Sequence, residues 1–250
     1  MSLTDDSRNR SRHRDAWEGF WRAAPTGPGA VFWDAVPART AAPHLDLLTP
    51  HLTEPALPLV DLGCGNGTQT RYLAGRLPGP VVGVDVSAAA LERARAQDPA
   101  GTARYRELDA TDTGAATDLH RELGDCNVYM RGVLHQTAAH DRDALAATVA
   151  TLLGRRGRAF VVEPGEAAGR AMGALMRDPA GPPAKLRPVA EHGIVPAAAA
   201  DADVPEHFRA AGLDVLASGE APLATTEVGA DGSPLELPSL WLVVGRAGRA

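Results

Sequence analysis

From Leu59 onward, short apolar runs alternate along the chain with segments in which apolar residues recur at helical spacing. The runs PLVDLG, VVGVDV, ARYREL, CNVYMRG and RAFVVEP are rich in β-forming residues and bounded by turn residues, which predicts buried strands. Parallel neighbours need a crossover connection, and the intervening segments can supply one as helices. The pattern therefore predicts an α/β fold with a doubly wound, mostly parallel sheet and helices on both faces.

Two of the predicted helices have well-marked starts. Ser87 is placed to cap a helix that runs through Gln97 and ends before Pro99. Asp141 is placed to cap another, whose apolar face consists of Leu145, Val149, Leu152 and Leu153. Both helices fall between predicted strands, which agrees with crossover connections.

The end of the chain follows a different pattern. Pro205 is expected to open a short helix that Gly212 closes. Two further apolar runs, LDVLASGEAPLATT and LPSLWLVVGRA, flank the turn-like VGADGSP. These runs predict an antiparallel pair of strands that completes the sheet.

Residues 1–50 stand outside the alternating pattern. They hold five of the eight Trp and Phe residues of the chain, namely Trp17, Phe20, Trp21, Phe32 and Trp33. This concentration predicts an N-terminal helical lid, in which Trp17, Trp21, Phe32 and Trp33 line a substrate pocket. The alternative is that Trp17, Phe20 and Trp21, at positions i, i+3 and i+4, only attach a helix to the core.

Residues 51–250 are predicted to form the main domain, with an insertion at about residues 165–204. The insertion is rich in Ala, Pro and Gly and interrupts the passage from the fifth strand to the next helix. It is expected to cover the substrate side of the sheet, at the carboxyl edge, or else to be an irregular loop.

Size and charge narrow the class of protein. A chain of 250 residues with 44% hydrophobic content is large enough for one substantial core. The formal net charge of -6 argues against a large basic nucleic-acid surface. The local cluster of Arg8, Arg10, Arg12 and Arg14 is expected to be a solvated, disordered tail. We therefore expect no nucleic-acid partner.

Cysteine usage and hydropathy bear on location and metals. Cys64 and Cys126 are far apart and neither belongs to a CxxC or Cys/His cluster, so no metal site is expected. The N-terminus is polar, and nothing downstream approaches the ~18 unbroken apolar residues of a membrane span. A cytoplasmic protein without a membrane partner is the resulting expectation.

The stretch LVDLGCGNGTQT places three glycines at alternate positions between a strand and a helix. Gly63, Gly65 and Gly67 allow positive φ angles and let a ligand approach bare backbone at the carboxyl edge of the sheet. The next strand ends in Asp85, 22 residues after Gly63, where a carboxylate can accept hydrogen bonds from both hydroxyls of a ribose. A nucleoside-containing cofactor is therefore predicted.

The spacing departs from the dinucleotide fingerprint GxGxxG, and an acid, Asp61, lies two places before the first glycine. DLGCGNG, followed by GVDVS and ELDATD, resembles the class I (Rossmann-like) S-adenosylmethionine-dependent methyltransferases, from about Leu59 to Pro164. The resemblance implies S-adenosylmethionine as cofactor and a seven-stranded sheet with a reversed last strand. That sheet agrees with the antiparallel pair predicted at the end of the chain.

The resemblance also implies roles for individual residues. Asp61 and the Gly63–Gly67 loop would surround the methionine part, Asp85 the ribose, and Asp109 with the Ala110 amide the adenine. The backbone oxygen of Arg131 would contact the amino group. The full set of predicted cofactor-binding residues is Asp61, Gly63, Cys64, Gly65, Gly67, Asp85, Val86, Asp109, Ala110 and Arg131. The Cys64 side chain is expected to be a small buried filler and not a nucleophile.

Methyl transfer from a sulfonium requires orientation above all, and a base only when the acceptor loses a proton. The predicted catalytic residues are His135, Arg131 and Glu163, which follow or end the fourth and fifth strands. His135 is a candidate base and substrate contact, because histidine titrates near neutral pH, but it could also only pack. Arg131 is expected either to position a substrate carboxylate or phosphate, or to form a salt bridge with Glu163 or another internal acid.

The acceptor is predicted from features that the sequence lacks. There is no NPPY-type motif, no basic stripe and no appended binding module. A small-molecule metabolite, in particular a secondary one, is therefore the expected substrate of a monomer or homodimer. The alternatives are an RNA or protein methyltransferase, or a non-methylating relative that serves as a cyclase or a binding module.

Overall fold

The computed structural model describes residues 3–177, 181–194, 199–229 and 232–247, with side chains from residue 11 onward. Its centre is a seven-stranded sheet in the order β3-β2-β1-β4-β5-β7-β6. The strands are β1 (Leu59–Leu62), β2 (Val81–Asp85), β3 (Arg104–Glu107), β4 (Asn127–Arg131), β5 (Arg158–Pro164), β6 (Asp214–Val228) and β7 (Pro234–Gly245). Strands β1 to β5 are parallel, whereas β7 runs antiparallel to both β5 and β6. The predicted sheet with a reversed last strand is confirmed.

Helices cover both faces of the sheet. They are α1 (Leu3–Ala23), α2 (Ala41–Leu48), α3 (Thr68–Ala74), α4 (Ala88–Ala96), α5 (Thr113–Leu123), α6 (Arg142–Leu153), α7 (Glu166–Met176), α8 (Arg187–Glu191) and α9 (Asp203–Ala210). The expectation of a disordered tail around Arg8, Arg10, Arg12 and Arg14 is wrong, because all four lie within α1. No helix in the described part of the chain is both long and apolar enough to cross a membrane.

The core has two parts, one on each face of the sheet, because successive side chains of a strand point to opposite faces. Val60 of β1 and Val128 of β4 pack with residues of α5, α6 and α9. Their sequence neighbours Leu59 and Tyr129 pack on the other face with residues of α2, α3 and α7. The inner strands are therefore buried on both faces, as their continuous apolar runs predict.

Strand β3 corrects one prediction. The run ARYREL was expected to be a buried strand, but Arg104, Arg106 and Glu107 are exposed. The physical reason is its place at the sheet edge, where β3 pairs with β2 and its charged side chains reach solvent. Arg106 forms an ion pair with Glu122 of α5 there.

The predicted helix starts are only partly right. Ser87 caps α4 as predicted, since its Oγ accepts a hydrogen bond from the Ala90 amide at 3.1 Å. Asp141 precedes α6, but its side chain makes no capping hydrogen bond because Asp141 itself has helical dihedral angles. Helix α9 begins at Asp203, so that Pro205 lies within its first turn instead of opening it.

Two segments that precede or interrupt the sheet pack against each other. Phe20 and Trp21 of α1 share an apolar cluster with Val189 and Ile194, which lie in the 165–204 insertion. Within the same insertion, Ala168 of α7 is buried against the sheet. The insertion thus connects the sheet to the outer side of α1.

Candidate active site

Two stretches of the carboxyl edge of the sheet hold the predicted site residues. We call the carboxyl ends of β1, β2 and β3, with the loops that follow them, the β1–β3 edge. The corresponding ends of β4 and β5 are called the β4–β5 edge. The two edges are adjacent because β1 pairs directly with β4.

The glycine loop follows β1 and leads into α3. Gly63, Gly65 and Gly67 have φ angles of 77°, 54° and 74°, which L side chains rarely adopt. The amides of Gly63 and Cys64 both donate to the Val84 carbonyl of β2. A Cβ at Gly65 would lie 2.9 Å from the ring of Trp21, so the bare backbone there is in contact with α1.

Asp85, at the end of β2, accepts one backbone hydrogen bond on each carboxylate oxygen. The Gly65 amide donates to Oδ2 at 2.8 Å and the Ser87 amide donates to Oδ1 at 2.9 Å. Burial raises the pKa of Asp85, although these amides oppose the shift. Because a carboxylate offers about four lone pairs, Asp85 retains acceptor capacity for two further donors.

Asp61, at the end region of β1, faces the interior. Thr70 donates its hydroxyl to Asp61 Oδ2 at 2.6 Å. Burial raises the pKa of Asp61 to about 6, while the Thr70 hydrogen bond and the positive charge of Arg131 oppose the rise. The influence of Arg131 shows that the two edges share one electrostatic environment.

Asp109 follows β3 at the far end of the β1–β3 edge. One of its oxygens accepts from both the amide and the hydroxyl of Thr111, at 2.9 and 2.7 Å. Burial lowers the pKa of His13 of α1, and the nearby negative charges of Asp109 and Asp141 oppose this shift. Ala110 and Val86 are half-buried beside these carboxylates.

The N-terminal segment is hydrogen-bonded to this edge through residues that the sequence did not reveal. Glu18 of α1 accepts from the Ser87 hydroxyl at 2.7 Å and from the Ala89 amide at 3.1 Å. Asp34 accepts from Asn66 Nδ2 of the glycine loop at 2.9 Å. Glu18 lies between Trp17 and Trp21, and this position in the aromatic stretch is the signal that could have found it.

The N-terminal aromatic residues fall into two groups. Trp17, Phe20, Trp21 and Trp33 contact one another, with ring centroids 5.3 to 6.3 Å apart. Phe32 instead packs into the core on the sheet face, in the cluster that contains Leu45 and Leu48 of α2. The structure therefore brings together Trp17, Trp21 and Trp33, but not Phe32.

Glu163, at the end of β5, is buried and holds the turn that follows β4. Its Oε1 accepts from the amides of Val133 and Leu134, at 2.9 and 3.0 Å, and its Oε2 accepts from the His135 amide at 3.1 Å. Oε2 also lies 2.9 Å from His135 Nδ1. A carboxylate can only accept, so neutral His135 carries its proton on Nδ1.

The second ring nitrogen of His135 is left as an acceptor. Gln136 Nε2 lies 2.9 Å from His135 Nε2 and donates to it in this tautomer. His135 Nε2 is thus the proton-accepting atom of the β4–β5 edge, and Gln136 is a contact that sequence reasoning missed.

Arg131 ends β4 and is half-buried. Its Nη2 donates to the Trp33 carbonyl at 2.9 Å, which joins the β4–β5 edge to the N-terminal segment. The expectation of a salt bridge with Glu163 or another internal acid is wrong for the described part of the chain, where no carboxylate lies within 4.0 Å of the guanidinium. The reason is that the oxygens of Glu163 are used by the turn after β4.

Cys64 packs within the glycine loop region. Its Sγ would lie 3.0 Å from a Cβ at Gly83 of β2, so the thiol fills the space that this glycine leaves. Burial raises the pKa of Cys64 well above its usual range. A thiol in that environment is not nucleophilic near neutral pH.

This geometry can be set beside proteins of known family. Residues 59–157 match the family described as "Methyltransferase domain". A crystal structure of an SAM-dependent methyltransferase from Anabaena variabilis is 33% identical, covers 94% of this chain and 95% of its own, and superposes with a TM-score of 0.85. The chain belongs to the SAM-dependent methyltransferases.

Two curated relatives match a shorter stretch of this methyltransferase. Trans-aconitate 2-methyltransferase from Paracidovorax citrulli is 47% identical over 66 residues, which are 24% of this chain and 25% of the relative. The enzyme of the same name from Deinococcus radiodurans is 40% identical over 80 residues, 32% of this chain and 31% of the relative. The chain therefore matches only a quarter to a third of the length of these relatives.

The cofactor of the family is S-adenosylmethionine, and the β1–β3 edge fits it. Asp85 has acceptor capacity left for two ribose hydroxyls, because its two backbone hydrogen bonds use only half of its lone pairs. The glycine loop presents backbone that lacks Cβ atoms at Gly63 and Gly65. The ring of Trp21 packs on the Gly65 backbone, so this ring borders the space that the cofactor would take.

Proposed function

We propose that this methyltransferase transfers a methyl group to a small-molecule metabolite, in particular a secondary metabolite, by in-line displacement. The observation that carries the proposal is the pair formed by His135 and Glu163 at the β4–β5 edge, which also holds Arg131 and adjoins the glycine loop because β4 pairs with β1. This arrangement offers one proton acceptor and one cation at the β4–β5 edge. The aromatic cluster of Trp17, Trp21 and Trp33 would supply an apolar wall, since Arg131 donates to the Trp33 carbonyl.

The β1–β3 edge would hold the cofactor. Asp85 with Val86 would take the ribose, Asp109 with the Ala110 amide the adenine, and Asp61 with the Gly63–Gly67 loop the methionine part. Bound S-adenosylmethionine supplies an already activated methyl group on a sulfonium. The task left to the chain is to orient the acceptor and exclude water, which is worth roughly 7 to 11 kcal/mol when the geometry is good.

His135 would accept the acceptor's proton at Nε2. Glu163 fixes the tautomer through Nδ1 and stabilises the imidazolium that forms, as a buried carboxylate does for a catalytic histidine. Glu163 is therefore a positioning residue and not the base, because four hydrogen bonds already engage its oxygens. Gln136 would release His135 Nε2 as the acceptor enters.

The N-terminal segment would close the site against water. Glu18 and Asp34 bond to α4 and to the glycine loop, and Arg131 bonds to Trp33. Such a lid suits a small acceptor that can be enclosed, and it would obstruct a folded protein or a duplex. The curated relatives carry the name of a small-molecule substrate, trans-aconitate, which supports the same class.

The test is methyl transfer to defined molecules. Purified protein with methyl-labelled S-adenosylmethionine would be incubated with trans-aconitate, with small-molecule extracts and with total RNA and protein, and products read by mass spectrometry. We expect a gain of one methyl group in a compound of the small-molecule fraction. Label that enters only RNA or protein would overturn the proposal.

A further inference from the structure

Arg131 is a half-buried cation with little local compensation. A guanidinium carries five N–H donors, and within the described part of the chain Arg131 uses one of them, toward the Trp33 carbonyl at 2.9 Å. That contact fixes the plane of the group without neutralising its charge. The remaining donors are available to a ligand.

The neighbours of Arg131 do not balance its charge. Asp61 lies beyond 4.0 Å and is already hydrogen-bonded by Thr70. His44, whose Nδ1 lies 2.8 Å from the Tyr129 hydroxyl, is buried and neutral. Burial and the nearby positive charge of Arg131 lower the pKa of His44 to about 3. Asp61 offsets part of this charge when it is ionised, but Arg131 has no direct ion-pair partner in the described part of the chain.

The location of this cation makes an anion necessary. Arg131 lies on the strand next to the glycine loop, where the family binds a positively charged sulfonium. Two cations in a site of reduced dielectric repel each other unless an anion joins them. A carboxylate matches the planar fork of a guanidinium and can accept two parallel hydrogen bonds.

We propose that the Arg131 side chain is a carboxylate-binding residue of the active site. The carboxylate has two possible sources of the same chemistry: the amino-acid end of the cofactor, or an acid group on the acceptor molecule. The second source rests on the proposed function, whereas the first does not. Binding measurements distinguish the two without any methyl transfer.

The experiment is calorimetry on wild type and Arg131→Gln with three probes. S-adenosylhomocysteine carries the amino-acid carboxylate, 5′-methylthioadenosine lacks it, and tricarballylate is a carboxylate with no nucleoside. Arg93→Gln is the matched control, because Arg93 also donates to carbonyls of the N-terminal segment, at Pro25 over 2.9 Å, but lies outside the site.

If the cofactor is the source, Arg131→Gln should bind S-adenosylhomocysteine roughly tenfold to a hundredfold more weakly. Its affinity for 5′-methylthioadenosine should be unchanged. If the acceptor is the source, S-adenosylhomocysteine should bind normally and the affinity for tricarballylate should fall by a similar factor. Arg93→Gln should preserve the wild-type preference among the three probes.

Two results would overturn the proposal. One is an equal loss for S-adenosylhomocysteine and 5′-methylthioadenosine, which would mean that Arg131 only holds the N-terminal segment in place. The other is unchanged binding of S-adenosylhomocysteine together with no Arg131-dependent binding of tricarballylate. Because neither readout uses turnover, a failure to find a methylated metabolite would leave this test intact.

Discussion

The β1–β3 edge and the β4–β5 edge hold their carboxylates in different ways. Asp85 and Asp109 each accept a hydrogen bond from a residue two positions further along the chain, and Asp85 also accepts one from the Gly65 amide, 20 residues earlier. Glu163 instead accepts from amides 28 to 30 residues earlier, in the turn after β4. The carboxylates proposed for the cofactor are therefore held partly by their own loops, whereas the proposed acceptor chemistry depends wholly on contacts between distant segments.

The largest expected effect is at the β4–β5 edge, with His135→Asn. General base catalysis typically contributes about 10²- to 10⁴-fold, so kcat should fall by a factor in that range while KM changes little. One limb of the pH dependence of kcat should disappear. Steady-state kinetics between pH 5 and pH 9 are the measurement.

The control for this variant is His207→Asn. His207 also pairs with a carboxylate, Asp143, at 2.7 Å, but these residues lie on α9 and α6 and not in the strand ends that form the β4–β5 edge. Its kinetics should match wild type. An unchanged kcat and pH profile in His135→Asn would mean that orientation alone accelerates the reaction. The β4–β5 edge would then have no acid–base role.

A smaller effect is expected on the β1–β3 edge, with Asp85→Ala. Loss of a charge-assisted hydrogen-bonding partner costs roughly 1.5 to 3 kcal/mol, so S-adenosylmethionine should bind about tenfold to over a hundredfold more weakly. Calorimetry gives the affinity, and circular dichroism shows whether the variant is folded. Asp112→Ala, which removes the carboxylate cap of α5, is the control and should bind normally. Wild-type affinity in Asp85→Ala would contradict the ribose assignment.

The difference between the edges explains what sequence could predict. The glycine loop and Asp85 follow from patterns within a few residues, and the sheet with its reversed β7 was predicted correctly. The contact of Glu18 with α4 and that of Arg131 with Trp33 join residues 69 and 98 positions apart. No local propensity encodes such pairs, because only the packing of the N-terminal segment over the edge brings them together.

Charge misled the sequence reasoning in the same way. Glu163 was a candidate partner for Arg131, since both end neighbouring strands. The fold instead turns the Glu163 carboxylate toward three amides and a histidine, because buried backbone donors must be satisfied. The exposure of β3 was missed for a related reason, since a strand's place in the sheet order is not written in its own residues.

The pH dependence of the free energy of unfolding reports on Asp61, whose pKa responds to the charge of Arg131 on the other edge. The carboxyl titrates at 3.8 when unfolded and its pKa rises to about 6 in the fold, so the folded state keeps a proton that the unfolded state releases. The free energy of unfolding should therefore fall as pH rises from about 4 to about 6, by roughly 2 to 3 kcal/mol.

Asp61→Asn should remove that contribution while keeping an oxygen for Thr70. Urea unfolding at several pH values, compared between wild type and Asp61→Asn, isolates it from other titrating groups. A difference between the two proteins that does not vary with pH would show that Asp61 is not held in a buried, proton-retaining site.

The smallest expected effect separates backbone strain from contact with α1. Gly65→Ala and Gly101→Ala both place a Cβ on residues with positive φ, 54° and 64°, which should cost each about 1 to 2 kcal/mol of stability. Only at Gly65 does the new Cβ meet Trp21; at Gly101 nothing lies within 4 Å. Thermal unfolding should show a similar loss of stability in both variants. Cofactor calorimetry should show weaker binding in Gly65→Ala alone. Equal binding by both variants would mean that the contact with Trp21 is dispensable.

Hydrogen–deuterium exchange with and without S-adenosylhomocysteine asks whether the N-terminal segment and the β1–β3 edge act as one site. Glu18, Trp21 and Asp34 all contact that edge, so the amides of residues 13–41 should gain protection together with those of residues 63–67. Protection confined to residues 63–67, with unchanged exchange before residue 50, would contradict closure of this segment over the bound cofactor.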